Sequence, residues 1–231
     1  MPPRCIARQL AHPKGPFGLV IGHLMNWHNA RMNAFAAGRL APASTERVLE
    51  IGFGGGVLTR SLVRSGAFVA GIDRSRMMVA QAKRRFRNAV AQGHAVFLAG
   101  QVEALPFADA SFDKVATVNT IYFWTSLDAG FREIHRVLIP GGRLIVGFLP
   151  KERMDQMAMP TDIFTTRAPD EVVAALAMAG FANPAIERPN PATPWNVVAA
   201  RKPTTIREAD AQAASGRLAA GPAADHGTAA L

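Results

Sequence analysis

Apolar residues fall along this chain in short runs separated by stretches of helical periodicity. Runs such as Val48-Leu49-Glu50-Ile51, Val69-Ala70-Gly71-Ile72 and Ala95-Val96-Phe97-Leu98 predict buried strands. The pattern places strands at 47–51, 68–72, 95–99, 113–119 and 143–149, and two late ones near 183–188 and 195–201. Helices are expected at 56–65, 75–91, 126–138 and about 169–179. Pro140-Gly141-Gly142 reads as the turn before the fifth strand, with one helix after it. Alternating strands and helices predict an α/β fold with a doubly wound, largely parallel sheet of seven strands. The last two strands are joined by a short proline-rich connection and should pair antiparallel, so the last one runs reversed. Ahead of this core, Leu24, Trp27, His28, Arg31, Met32, Phe35 and Ala36 recur at three- and four-residue spacing within a helical stretch, 16–40. The expected organisation is an N-terminal arm and helical lid over 1–43, a ligand-binding domain over 44–203 and a mobile tail over 204–231.

The first strand runs straight into Gly52-Phe53-Gly54-Gly55-Gly56, and the second ends at Asp73, 21 positions after Gly52 (73 − 52). That is the layout of a nucleotide-binding βαβ unit. Glycines without a Cβ let the backbone approach a ligand and accept positive φ. The following helix N-terminus offers free N–H groups, and an acid at the second strand's end can accept from both hydroxyls of a ribose. A dinucleotide fingerprint needs glycines at its first, third and sixth positions, and the sixth here is Val57. The motif present is Glu50-x-Gly52-x-Gly54-x-Gly56.

This motif resembles motif I of the class I S-adenosylmethionine-dependent methyltransferases. Two further segments resemble the small-molecule branch that includes the ubiquinone and menaquinone C-methyltransferases (the methyltransferase type 11 domain). They are Gln101-Val102-Glu103-Ala104-Leu105-Pro106-Phe107, followed by Asp109-Ala110-Ser111-Phe112-Asp113, and Arg136-Val137-Leu138-Ile139-Pro140-Gly141-Gly142. The resemblance covers roughly residues 44–202 and implies a Rossmann-like fold with S-adenosyl-L-methionine as cofactor. It implies that Gly52, Gly54 and Gly56 contact the methionine part, that Glu50 orders their loop and that Asp73 holds the ribose. It further places Arg74 against the adenine ring, Gln101 and Val102 at the adenine edge, and Asn119 at the methionine end. The family usually carries an acid where Gln101 stands; an amide can still accept from the adenine amino group. Asn119-Thr120-Ile121-Tyr122 occupies the place where amino-group methyltransferases carry Asn-Pro-Pro-Tyr, but both prolines are missing. Asn119 and Tyr122 are read as lining the methyl-transfer site, without implying nucleobase chemistry.

No catalytic triad, metal set or phosphate loop is visible in the sequence, as suits a reaction whose donor is already activated and whose catalyst must chiefly align and exclude water. If the acceptor needs a base, His28 or Tyr122 is the candidate. The lid stretch is crowded with Asn26, Trp27, His28, Asn29, Met32 and Asn33. Its asparagines either meet ligand or satisfy local backbone groups. The chain is 231 residues long with a net charge of +9. The densest cationic run, Lys83-Arg84-Arg85-Phe86-Arg87, reads as a solvated helix face, with an RNA or lipid patch as the alternative. A single cysteine, Cys5, fits a reducing compartment; the N-terminal apolar run is too interrupted for a signal peptide, and no stretch is long enough to span a membrane. The expectation is a cytoplasmic methyltransferase acting on a small molecule, with lipid and quinone-like acceptors in view and peripheral membrane contact allowed. A nucleic-acid partner is disfavoured, and the oligomeric state is open. The alternatives are an RNA or protein methyltransferase and a non-catalytic S-adenosylmethionine-binding protein.

Overall fold

The computed structural model describes residues 29–204. His28, the basic arm and the C-terminal tail lie outside them. Seven strands form one sheet in the order β3-β2-β1-β4-β5-β7-β6. They are β1 (Arg47–Ile51), β2 (Phe68–Asp73), β3 (Ala95–Ala99), β4 (Phe112–Val118), β5 (Leu138–Phe148), β6 (Ala182–Glu187) and β7 (Asn196–Arg201). β1 to β5 pair in parallel, while β7 is antiparallel to both β5 and β6. The expected reversed last strand is therefore present.

Two sets of helices cover the sheet, because successive strand residues point to opposite faces. On one face Val48, Val69, Ala116 and Ile145 pack under α1 (Ala30–Leu40) and α2 (Val57–Arg64). Ala95 and Phe97 meet α3 (Arg76–Arg85) and α4 (Arg87–Ala91) on that same face. On the other face Leu49, Ile51, Ile72, Val115, Leu144 and Val146 pack under α5 (Leu127–Val137) and α7 (Pro169–Met178). Met32 of α1 is core, seated against Gly147, where an added Cβ would lie 3.1 Å from its sulfur. Asn33 donates to the carbonyl of Asn29 at 2.9 Å, so this asparagine satisfies local backbone.

Four features differ from the sequence pattern. The helix expected over 75–91 breaks at Phe86, whose backbone leaves helical geometry while its ring stacks on Phe97 at 5.6 Å. Pro140-Gly141-Gly142 is not a turn ahead of β5 but an irregularity inside it. Leu138 pairs with Phe112, and pairing resumes at Arg143 with Lys114, with Gly141 at φ 80° absorbing the extra residues. Two helices, not one, separate β5 from β6: α6 (Lys151–Gln156) precedes α7, anchored by buried Met154 and an ion pair from Lys151 to Asp155. A short 3-10 turn, Ile121–Phe123, follows β4.

Arg136 explains why the two family-like segments occur together. Its guanidinium donates to the carbonyls of Leu105 (3.1 Å) and Phe107 (2.8 Å) and to the carboxylates of Asp109 and Glu133. Glu133 in turn accepts from the Leu105 N–H at 2.9 Å. The planar fork of arginine can hold several acceptors at once, so one residue of α5 fixes the loop between β3 and β4.

Candidate functional site

The site lies at the C-terminal ends of β1, β2 and β4, where open α/β sheets bind ligands. Glu50 and Asp73 stand on one sheet face, the face that α1, α2 and α3 cover. Both are buried, at 3% and 8% exposure. Asp73 is well served: its two carboxylate oxygens accept from the N–H groups of Gly54 and Ser75, each at 2.9 Å. Burial still raises its carboxyl above the ordinary range, opposed by those two bonds and by neighbouring Arg74, which is exposed. Each oxygen keeps a lone pair for a further donor.

Glu50 is held differently. Burial pushes its carboxyl up to about 7; Thr59 on α2 opposes the rise and the Asp73 charge adds to it. Among the described residues its Oε2 has no hydrogen-bond partner of good geometry, and neither does the Thr59 hydroxyl. Two orphaned polar atoms therefore sit beside the glycine loop.

That loop is built on positive φ at Gly52 (70°), Gly54 (47°) and Gly56 (72°). The three glycines have different neighbours. A Cβ on Gly52 would lie 2.2 Å from Cγ2 of Thr120, and one on Gly56 would lie 3.0 Å from the Phe86 ring. A Cβ on Gly54 would meet nothing within 4 Å, so this glycine borders open space. Gly56 also opens α2, whose first amides carry no side-chain cap.

Opposite the loop, Asn119 follows β4 with φ 59°, rare for a non-glycine residue. Its Oδ1 accepts from the Tyr122 hydroxyl at 3.1 Å, and that hydroxyl accepts a short bond from the Leu149 N–H. Tyr122 is 5% exposed, and burial moves its phenol above the ordinary range. It keeps its proton at neutral pH and acts here as a hydrogen-bonding post. Thr120 bonds to the Thr117 hydroxyl and accepts from the Trp124 indole at 3.1 Å, and Thr117 donates to the Ile51 carbonyl. Gln101 is exposed at a short bridge to Ala104, while Val102 is buried next to Gly130. Thr59, Thr120 and Arg85, which donates to the Gly55 carbonyl at 2.7 Å, belong to the site and were not read from the sequence. The one available hint for Thr120 was its place in the Asn119-Thr120-Ile121-Tyr122 stretch at the end of β4. His135 is structural: its ring packs on Phe181 at 5.2 Å, and burial lowers its pKa.

Residues 49–146 match the family model described as a methyltransferase domain. Over that stretch, about two fifths of the chain, it carries an S-adenosylmethionine-dependent methyltransferase domain, with S-adenosyl-L-methionine as its cofactor. Over 190 residues, 81% of this chain and 100% of the other, it is 27% identical to the uncharacterized methyltransferase YdaC of Bacillus subtilis (strain 168). It is 37% identical over 120 residues to a demethylmenaquinone methyltransferase of Beutenbergia cavernae, covering 52% of this chain and 45% of that one. The chain spans about half the length of the demethylmenaquinone methyltransferases it matches. The fold is shared with the geranyl diphosphate C-methyltransferase of Streptomyces coelicolor A3(2), at a TM-score of 0.64 and 15% identity over 84% of this chain and 87% of that one. The residues of this methyltransferase domain fit its cofactor: open space at Gly54, uncapped amides at α2 and a buried carboxylate with spare lone pairs at Asp73. No helix among the described residues is long and apolar enough to cross a membrane.

Gly52→Ala should weaken S-adenosylmethionine binding tenfold or more, because a side chain at positive φ costs about 1–2 kcal/mol before the collision with Thr120 is counted. Pairing it with Thr120→Ser, which removes the colliding methyl and keeps the hydroxyl, should restore part of the loss. Titration calorimetry decides; a double variant no better than the single would separate the two residues.

Glu50→Gln should stabilise the fold at neutral pH while weakening cofactor binding. The folded carboxyl holds its proton to about 7, whereas an unfolded one loses it near 4.5. Wild-type stability therefore falls as pH rises between those values and is flat above them, whereas the amide does not titrate. The gap in urea unfolding free energy should be near zero below pH 4.5 and reach about 3 kcal/mol above pH 7. A gap independent of pH would refute the assignment.

Proposed function

We propose that the chain transfers a methyl group from S-adenosylmethionine to a small apolar acceptor, of the lipid or quinone-like kind. The observation that carries this reading is an apolar shelf next to Tyr122. Phe123, Leu149, Met159 and Ile163 are only partly buried and pack on the core cluster that contains Tyr122 and Phe164, and the Phe164 ring lies 5.1 Å from Phe123 and 6.3 Å from Tyr122. An aromatic and aliphatic wall suits an apolar substrate. The name of one group of similar proteins, which refers to demethylmenaquinone, agrees with that chemistry.

The cofactor, when bound, supplies an activated methyl group on a sulfonium. Asp73 holds the ribose hydroxyls with its remaining lone pairs, and Arg74, Gln101 and Val102 border the adenine. Gly52, Gly54 and Gly56 pass the methionine part close to backbone, and Glu50 orders their loop. Asn119 faces the methionine end, fixed in its left-handed conformation by Tyr122. Tyr122 is a positioning residue whose proton stays on oxygen, so the remaining candidate for a base is His28. A cytoplasmic setting accords with the single cysteine.

Purified protein given methyl-labelled S-adenosylmethionine and a fractionated cell extract should label the lipid fraction. Label confined to nucleic acid or protein would replace this reading by the corresponding methyltransferase. With the acceptor in hand, Tyr122→Phe should lower kcat while the pH profile stays unchanged. His28→Ala should cost about a hundredfold or more if His28 is the base, and turnover close to wild type would retire it.

A further inference from the structure

On the sheet face covered by α2, α3 and α4, Arg60, Arg64, Arg76, Lys83, Arg84 and Arg87 are all exposed. Among the described residues none of the six makes an ion pair. Six other cations of the domain are neutralised locally: Arg39 by Glu187, Lys114 by Glu46, Arg132 by Asp128, Arg136 by Glu133, Lys151 by Asp155 and Arg167 by Glu171. Arg31, Arg47, Arg153, Arg188 and Arg201 are exposed without an ion pair among the described residues too, but they are scattered over other parts of the fold. The contrast has a simple source, since the one acid between residues 51 and 100 is Asp73, which is buried. The three helices are neighbours. Val63 of α2 packs on the core beneath α3, and the end of α3 reaches the glycine loop through Arg85 and Phe86. The uncompensated charge thus borders the cofactor loop.

The geometry points to this face as a docking surface for an anionic lipid bilayer, which would set the cofactor loop beside the membrane that dissolves an apolar acceptor. This rests on the apolar-acceptor reading above. A protein partner would call for an apolar or aromatic centre within the patch. The large exposed hydrophobics among the described residues are Met157, Met178 and Ile186, none of them on α2, α3 or α4. Sequence-specific RNA binding uses exposed aromatic platforms, and Phe86 turns its ring inward onto Phe97. An anionic bilayer asks only for several cations on one face, each strengthening binding roughly fivefold.

The full chain should sediment with phosphatidylcholine vesicles containing phosphatidylglycerol, not with phosphatidylcholine alone, and added salt should release it. The triple variant Lys83→Glu, Arg84→Glu, Arg87→Glu should lose a hundredfold or more in vesicle affinity. It should keep wild-type S-adenosylmethionine affinity and turnover on a detergent-dispersed quinone. Arg60→Glu with Arg64→Glu, on a different helix, should weaken vesicle binding in the same way. Equal binding to both vesicle types, or variants that bind like wild type, would overturn the proposal. So would polyuridylate binding tighter than the anionic vesicles. Selective vesicle binding without turnover of any lipid acceptor would leave the docking surface standing and defeat the acceptor reading instead.

Discussion

Two carboxylates buried side by side set the terms for the rest of this structure. Glu50 and Asp73 occupy one face of adjacent parallel strands, under helices that pack against that face. A buried carboxylate is costly unless hydrogen bonds replace its water. Asp73 obtains two backbone N–H groups, and one of them, from Gly54, is available only because the loop turns through a left-handed glycine. Gly71, between the two acids in space, must also lack a side chain, since a Cβ there would lie 2.6 Å from Phe97 and 2.8 Å from Phe53. The aromatic packing over Gly71 and the glycines that let backbone reach Asp73 are thus parts of one arrangement.

Features carried by a single stretch of chain were legible in the sequence. The strands, the glycine loop, Asp73 and the reversed β7 follow from local periodicity, glycine spacing and connection length. What was not legible arises where distant segments meet. Thr120 closes over Gly52, Arg85 reaches back 30 positions to Gly55, and Arg136 gathers a loop about 30 residues upstream. No window of sequence contains both partners of such a contact. The break at Phe86 is instructive in another way. Met78, Ala82 and Phe86 do form one inward stripe, so the periodicity was real. The helix ends there because the Phe86 ring gains contacts with Phe97 and Gly56 that a continuing helix would not give it.

The turn after β4 shows a rigid shape reached without the usual rigid residues. Where related motifs use two prolines, this chain uses side-chain hydrogen bonds: Thr120 is tied to Thr117 and Trp124, and Tyr122 to Asn119 and Leu149. The Asn119 N–H also donates to the Gly147 carbonyl of β5 at 2.8 Å, so the left-handed Asn119 is held from two sides. Backbone strain of this sort persists only when its surroundings over-determine it. A transfer reaction that relies on alignment has most to gain from such over-determination, because a small misplacement of reacting atoms is expensive in rate.

Glu50 follows the opposite logic, and the two together describe how this site is built. Its carboxyl is raised by burial, and among the described residues neither its Oε2 nor the Thr59 hydroxyl has a hydrogen bond of good geometry. A neutral side chain of the same shape would make a more stable fold, so stability does not account for an acid here. A site that binds a cationic ligand does account for it. Negative charge held out of water interacts more strongly with an arriving positive group than the same charge at the surface, and a ligand that binds only the folded state returns stability as it binds. Under the proposed reading that ligand is the methionine end of the cofactor, which meets the loop that Glu50 orders. On that reading the fold is least satisfied beside the proposed cofactor site, at Glu50 and at the open side of Gly54, and most tightly braced at Thr120 and Tyr122, beside the proposed methyl-transfer site.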